Sequence, residues 1–261
     1  MASLPENITV LKGLLGKQLI EGHSFAKHPI RQSINRVLTY HDRGDYANRD
    51  YENSSLSLFA KNLKEIESHD KKLLRVFRRA LQSCNDDTYF GVRFEVSMAA
   101  SLIRSKVPFV KTERPDFTLL DHWDGVCIEC GSAHLSEPKI RIADLKYKIG
   151  SVIREKSQYD YCNASNALFI DFTNINYHST LQEILPGVDE SKSYVADQLK
   201  RSGFGSVVLW TYIINLDIQK YEWKYTRIDN KMPNQLLMRF LDTLYPFGHD
   251  VTHNYGFLSK G

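Results

Sequence analysis

The sequence predicts an α/β fold: a mixed central sheet flanked by helices, with a helical extension at the N-terminus. Three observations carry this. Apolar residues recur at helical spacing through the first third of the chain. Short β-prone runs separated by turn residues lie between residues 109 and 130. Beyond them, helix-spaced and strand-like segments alternate, and that order suits a sheet covered by helices.

In chain order, short helical patches are expected around Ile8–Leu19 and Ile30–Tyr40, and the polar stretch Arg43–Ser55 reads as a loop. Ser55–Ser83 reads as one long amphipathic helix, with Leu56, Phe59, Leu63, Ile66, Leu73, Leu74, Phe77 and Leu81 on its apolar side. Its other side carries Lys61, Lys64, Lys71, Lys72, Arg75, Arg78 and Arg79. That stripe suits phosphates, or simply water, balanced by Glu65, Glu67 and Asp70. Asn85-Asp86-Asp87 breaks this helix and can cap the next, over about Thr88–Ser105.

Strands are expected at Phe109–Val110, Phe117–Leu120 and Val126–Cys130, with Asp121–Gly125 as the hairpin turn between the last two. A helix over Arg141–Tyr161, a strand over Ala167–Thr173 and a helix over Ser191–Arg201 follow. Strands at Ser206–Asn215 and Tyr221–Ile228 and a helix at Gln235–Leu244 complete the pattern. Residues 1–85 are expected to form a helical region packed on a core spanning 86–261.

Composition excludes more than it assigns. Of 261 residues, 42% are hydrophobic and 25% charged, ordinary for a globular protein. The net charge of +3 neither demands nor forbids a polyanion partner, because a local basic face matters more than the sum. No apolar run approaches the roughly 18 residues that span a membrane. Residues 1–22 carry scattered charges and no clean apolar stretch, so a reduced, cytoplasmic protein is expected. Cys127 and Cys130 form a C-x-x-C inside an apolar strand, with no second pair to complete a zinc site, and read as small core residues. No phosphate-cradling loop, dinucleotide fingerprint or nucleophile elbow is present.

The chemistry is expected from carboxylates. Asp116 opens one strand of the hairpin and Glu129 sits in the next. Alternation puts Cys127, Glu129 and Gly131 on one face, and the apolar set Val126, Ile128 and Cys130 on the face toward a core. Glu129 therefore projects away from that core, yet on a strand too hydrophobic for an exposed edge. A carboxylate so placed needs a compensating partner, and a divalent cation held with Asp116 would supply one. On the preceding helix, Glu95 is the one charge on a face made by Gly91, Met98, Ala99 and Leu102. It is either functional or paired with an arginine such as Arg93 or Arg114.

Phe94-Glu95, Pro115-Asp116-Phe117-Thr118-Leu119 and Cys127-Ile128-Glu129-Cys130-Gly131 together resemble the PD-(D/E)xK nuclease superfamily over about residues 88–173. The resemblance implies a restriction-endonuclease-like core and metal-dependent phosphodiester hydrolysis. It implies a DNA endonuclease of restriction or defence type, acting on double-stranded DNA, with a homodimer for paired cuts. It assigns Asp116, Glu129, Glu95 and the carbonyl of Cys130 as ligands of Mg²⁺ or Mn²⁺. The family's lysine belongs two residues after the second acid, where this chain has Gly131. Lys156 is the expected substitute: it continues the apolar stripe Ile142, Leu145, Ile149, Val152 and Ile153 of the following helix. The alternative is that Lys156 snorkels to solvent. The departure at Gly131 also leaves open a second function: a catalytically inactive nucleic-acid-binding or assembly module on the same fold.

Trp123 would stack on a base if exposed, but is expected to cover the core. Arg114 would grip a phosphate or pair with an acid, and Asp171 is expected to be structural. His134 would end the Glu129 strand on the opposite face.

Overall fold

A computed structural model of the chain describes residues 2–133, 142–173, 181–216, 220–246 and 253–256. The first six helices are α1 (Leu4–Leu15), α2 (Lys17–Glu21), α3 (Pro29–Asp42), α4 (Tyr46–His69), α5 (Lys71–Ser83) and α6 (Asp86–Arg104). Strands β1 (Phe109–Lys111), β2 (Phe117–Leu119) and β3 (Cys127–Ser132) follow. After them come α7 (Ile142–Lys156), β4 (Asn166–Asp171), α8 (Leu181–Lys200), β5 (Ser206–Asn215), β6 (Lys220–Asp229), α9 (Gln235–Leu244) and β7 (His253–Gly256). The strands form one seven-stranded sheet in sequence order, β1 to β7. β1–β2 and β2–β3 are antiparallel, while β3–β4 and β4–β5 are parallel, so the sheet is mixed. The fold class is therefore α/β with flanking helices, as the alternation of periods implies. No described helix is long and apolar enough to cross a membrane.

The chain forms two compact units. One runs to Arg104 and includes Ile214–Glu222 and the segment from His253; the other is Ser105–Ile213 with Trp223–Thr252. In the first, α4 packs on α1, α3 and α6, and α5 packs on α6. The sequence boundary drawn at residue 85 thus falls inside a packed helical group, and α6 belongs with the helices before it.

Two local expectations are corrected. Arg43–Ser55 is not a loop, because α4 begins at Tyr46 with Asp45 accepting from the Asn48 N–H at 3.3 Å. Glu52, Asn53, Ser54 and Ser55 in its first half are buried yet satisfied. Glu52 accepts from Ser33 at 2.9 Å and pairs with Arg36, while Asn7 donates to Asn53 and Ser57 at 2.9 and 2.7 Å. Ser55–Ser83 is not one helix either. The backbone turns extended at Asp70 (φ −151°, ψ 111°), whose side chain accepts from the Lys72 N–H at 2.7 Å and starts α5.

In the second unit the sheet is covered on both faces. Leu168, Ile170 and Phe172 of β4 and its continuation, with Val207 and Leu209 of β5, meet Leu145, Ile149, Val152 and Ile153 of α7. Val195 and Leu199 of α8 and Ala133 belong to the same cluster. On the other face, Phe169 packs edge-on against Tyr245 at 4.9 Å, and Trp123 against Phe240 of α9 at 5.5 Å. Trp123 thus covers the core, as expected.

Candidate functional site

The β2–β3 ladder brings the acids together. Phe117 pairs with Ile128 and Thr118 with Cys127, so the next pair along the register is Asp116 with Glu129. Directly opposed residues share a face and stand close. Both side chains are buried: Asp116 is 6% and Glu129 2% exposed. The Asp116 N–H donates to Glu129 Oε2 at 3.3 Å, and the Cys130 N–H donates to Asp116 Oδ2 at 2.8 Å. Like charges so placed destabilise each other unless something offsets them.

Two lysines supply the offset. Lys156, the last residue of α7, donates to Glu129 Oε1 at 2.7 Å. Lys111, the last residue of β1, donates to Asp116 Oδ1 at 3.0 Å and lies 5.3 Å from the Phe117 ring centroid. Burial pushes the Glu129 carboxyl above the usual carboxylate range. Asp116 adds to that, and Lys156 opposes it. Burial pulls the Lys156 ammonium down, but Glu129 and then Asp116 outweigh it, so the net direction is up.

Glu129 does project away from the face of Ile128 and Cys130, but its own face is equally covered. Glu129 pairs with Leu168 and Gly131 with Ile170, so all four point toward α7. That explains Gly131. A Cβ there would stand 2.5 Å from Val152 Cγ1. Helix α7 fills the space a side chain would need, and one turn beyond Val152 it delivers Lys156 to Glu129.

Tyr161 closes the site on the side of the turn after α7. Its hydroxyl is buried, with no hydrogen bond of good geometry among the described residues. Burial, and next the Glu129 carboxylate, raise its phenol well above the ordinary range. Tyr159 lies nearly parallel to Tyr161, with ring centroids 5.6 Å apart, and the Arg114 guanidinium sits 4.2 Å over the Tyr159 ring.

Of the expected site residues, the structure brings together Asp116, Glu129, Lys156 and the backbone of Cys130. Glu95 is partly buried on α6, within the helical unit. Among the described residues, no group of three or more His, Cys, Asp or Glu side chains is positioned to hold a metal ion. Lys111 and Tyr161 were not foreseen from sequence. Lys111 is legible only once the β1–β2 register is known, and Tyr161 only once the chain turns back after α7. Asp171 accepts from the Thr173 N–H at 2.8 Å, a local turn role. His134 and Arg141 lie outside the described residues.

The basic stripe divides between roles. Arg78 donates to the Leu14 carbonyl at 2.7 Å and ties α5 to α1. Lys61 and Lys64 line a hollow of about 550 Å³ with Glu65, Ser68, His69 and Arg104, where Arg104 is already paired with Glu65 at 2.5 Å.

Comparison of the chain with protein-family models, with curated proteins and with solved structures found no match.

Proposed function

We propose that this chain is a divalent-metal-dependent nuclease of PD-(D/E)xK type, hydrolysing phosphodiester bonds in DNA. The observation that carries the reading is the convergence of Asp116, Glu129 and Lys156 from a hairpin and the helix after it. The order α6, β2–β3 hairpin, α7 and parallel β4 agrees with a restriction-endonuclease-like core. A lysine reaching the second acid from α7 answers the departure at Gly131.

The donor set fits a hard cation. Asp116 and Glu129 offer only oxygen, and two buried like charges side by side are what a divalent ion relieves. Asp116 and Glu129 would hold Mg²⁺ or Mn²⁺, with the Cys130 carbonyl as the expected third oxygen. Once bound, the ion neutralises phosphate charge and lowers the pKa of a coordinated water. The chain's own groups then have separate tasks. The Cys130 N–H fixes the orientation of Asp116. Lys156, held by Glu129, places a positive charge where the attacked phosphate must sit. The reading rests on two acids and a lysine and does not require Glu95. A role in restriction or defence, a cytoplasmic location and a homodimer belong to the same reading.

A plasmid-nicking assay with Mg²⁺, Mn²⁺ or EDTA tests it. Cutting is expected with either metal, and none with EDTA or in Asp116→Ala. One observation favours the second reading, an inactive nucleic-acid-binding module: each carboxylate already has a lysine partner. DNA binding by the wild type without any metal-dependent cutting would select that module.

A further inference from the structure

We infer that Arg114 is a phosphate-gripping residue, held ready by Tyr159, that fixes a nucleic-acid strand beside Asp116 and Glu129. The inference rests on the nucleic-acid reading above but not on catalysis.

Arg114 is exposed, and one residue, Pro115, separates it from Asp116. Sequence alone leaves it either an acid's partner or a phosphate ligand. Among the described residues it forms no ion pair, whereas Arg36, Arg49, Arg104 and Arg227 each hold a carboxylate. Its contact is with an aromatic ring, 4.2 Å over Tyr159. Tyr159 is in turn steadied by near-parallel Tyr161, at an interplanar angle of 17°. Tyr161 ends in a buried hydroxyl beside Glu129. The stack therefore runs from the acid pair out to an uncompensated guanidinium.

A ring contact orients a guanidinium without satisfying its N–H donors. A planar set of donors matches two oxygens of a phosphate, and holding it in place lowers the entropy lost on binding. An exposed arginine would otherwise be expected to sample many rotamers in water. This one is tethered next to the pair of acids proposed to receive the scissile phosphate. The chemistry it fits is a phosphodiester of a polynucleotide, at a position neighbouring the one attacked.

The test is fluorescence anisotropy with a labelled DNA duplex in EDTA, so that binding is read without cleavage, across a series of salt concentrations. Arg114→Ala is expected to weaken binding roughly ten-fold and to reduce the slope of log affinity against log salt by about 0.9, one phosphate contact. Arg114→Lys should restore the slope but only part of the affinity, because a point charge lacks the planar fork. Tyr159→Leu should weaken binding about three-fold with the slope intact. Thermal melts of Arg114→Ala and Arg114→Lys should match wild type, because that side chain is exposed and, among the described residues, pairs with no acid. Unchanged affinity and slope in Arg114→Ala overturn the inference and leave the nuclease reading standing. Arg114-dependent binding by a protein that never cuts with Mg²⁺ upholds the inference and removes the nuclease reading. No binding of DNA by wild type overturns both.

Discussion

The Lys156 ammonium lies 2.7 Å from Oε1 of Glu129, a carboxylate that is 2% exposed and stands opposite Asp116 in the β2–β3 register. Glu129 and Lys156 are each tolerable in place because the other is there, the more so with the Asp116 carboxylate alongside. Removing one should therefore cost more than removing a matched pair. Lys156→Met leaves Glu129 buried as an unopposed charge and is expected to destabilise the fold by about 3 kcal/mol, the low end for a broken buried pair, since the lysine is one-fifth exposed. The double variant Lys156→Met, Glu129→Gln should recover most of that loss. Urea unfolding of the four proteins in the cycle measures the coupling. Simple additivity of the two single changes would show that the contact does not offset the burial.

The same pair sets a pH dependence. Burial, then Asp116, hold the Glu129 carboxyl above its ordinary value of 4.5 despite Lys156. A raised carboxyl binds its proton more tightly in the folded state than in the unfolded state. Its stability contribution is complete below 4.5 and is lost as pH climbs through the folded value. Without Lys156 that loss deepens. The gap between wild type and Lys156→Met should therefore be widest near neutral pH and close as pH falls below 4.5. A gap that stays constant across that range would mean that Glu129 is not the group responsible.

Gly131 yields an expectation opposite to the one its sequence position suggests. Placing a lysine where the nuclease resemblance would put one, by Gly131→Lys, should not create a site, because the new Cβ meets Val152 Cγ1 at 2.5 Å. Overpacking of this kind costs about 1–3 kcal/mol. The variant should melt lower than wild type, and Gly131→Lys combined with Lys156→Ala should not recover any cutting that Lys156→Ala loses. Recovery would show that position 131 can accept the lysine and that α7 yields.

How much of this was legible in the sequence depends on where polarity and burial part company. The hairpin, α7, β4 and the segments Ser206–Asn215 and Gln235–Leu244 follow from period and turn residues, because apolar side chains there face a core. The start of α4 did not. Glu52, Asn53, Ser54 and Ser55 are buried among helices with polar partners, so hydropathy reads loop where the chain is helical. The break at Asp70 was hidden because apolar spacing continues across it, through Leu63 and Ile66 into Leu74 and Phe77. In the candidate site, the nearness of Asp116 to Glu129 was legible in the hairpin pattern, whereas Lys156 follows only from the nuclease resemblance, which wants a lysine beside the second acid. Lys111 was not, since its relation to Asp116 depends on the pairing of β1 with β2.

That break offers a test of the fold apart from the site. Asp70 is the N-cap of α5, and its side chain accepts from Lys72 N–H at 2.7 Å. Asp70→Ala is expected to cost about 1 kcal/mol, while Asp70→Asn, which keeps the acceptor, should cost only a few tenths. Equal losses in the two variants, read by thermal unfolding, would point to the charge rather than the cap.

Lys111 sharpens the test of metal binding. Its ammonium holds Asp116 Oδ1 at 3.0 Å, on an oxygen that a divalent ion would need. Under the proposed reading, lysine and metal would compete for one carboxylate, and the Lys111 contact would have to break for the ion to bind. Lys111→Met should lower the melting temperature in EDTA, because Asp116 is left buried with less positive charge beside it. The same change should enlarge the rise in melting temperature that Mg²⁺ produces, since a ligand that binds the folded state stabilises it in proportion to its affinity. In Asp116→Asn that rise should disappear. A rise of equal size in wild type and Lys111→Met would mean that the ion does not use Asp116 Oδ1. No rise in any of the three would argue that the two carboxylates exist for their lysines alone, and would leave the inactive module as the better account of the chain.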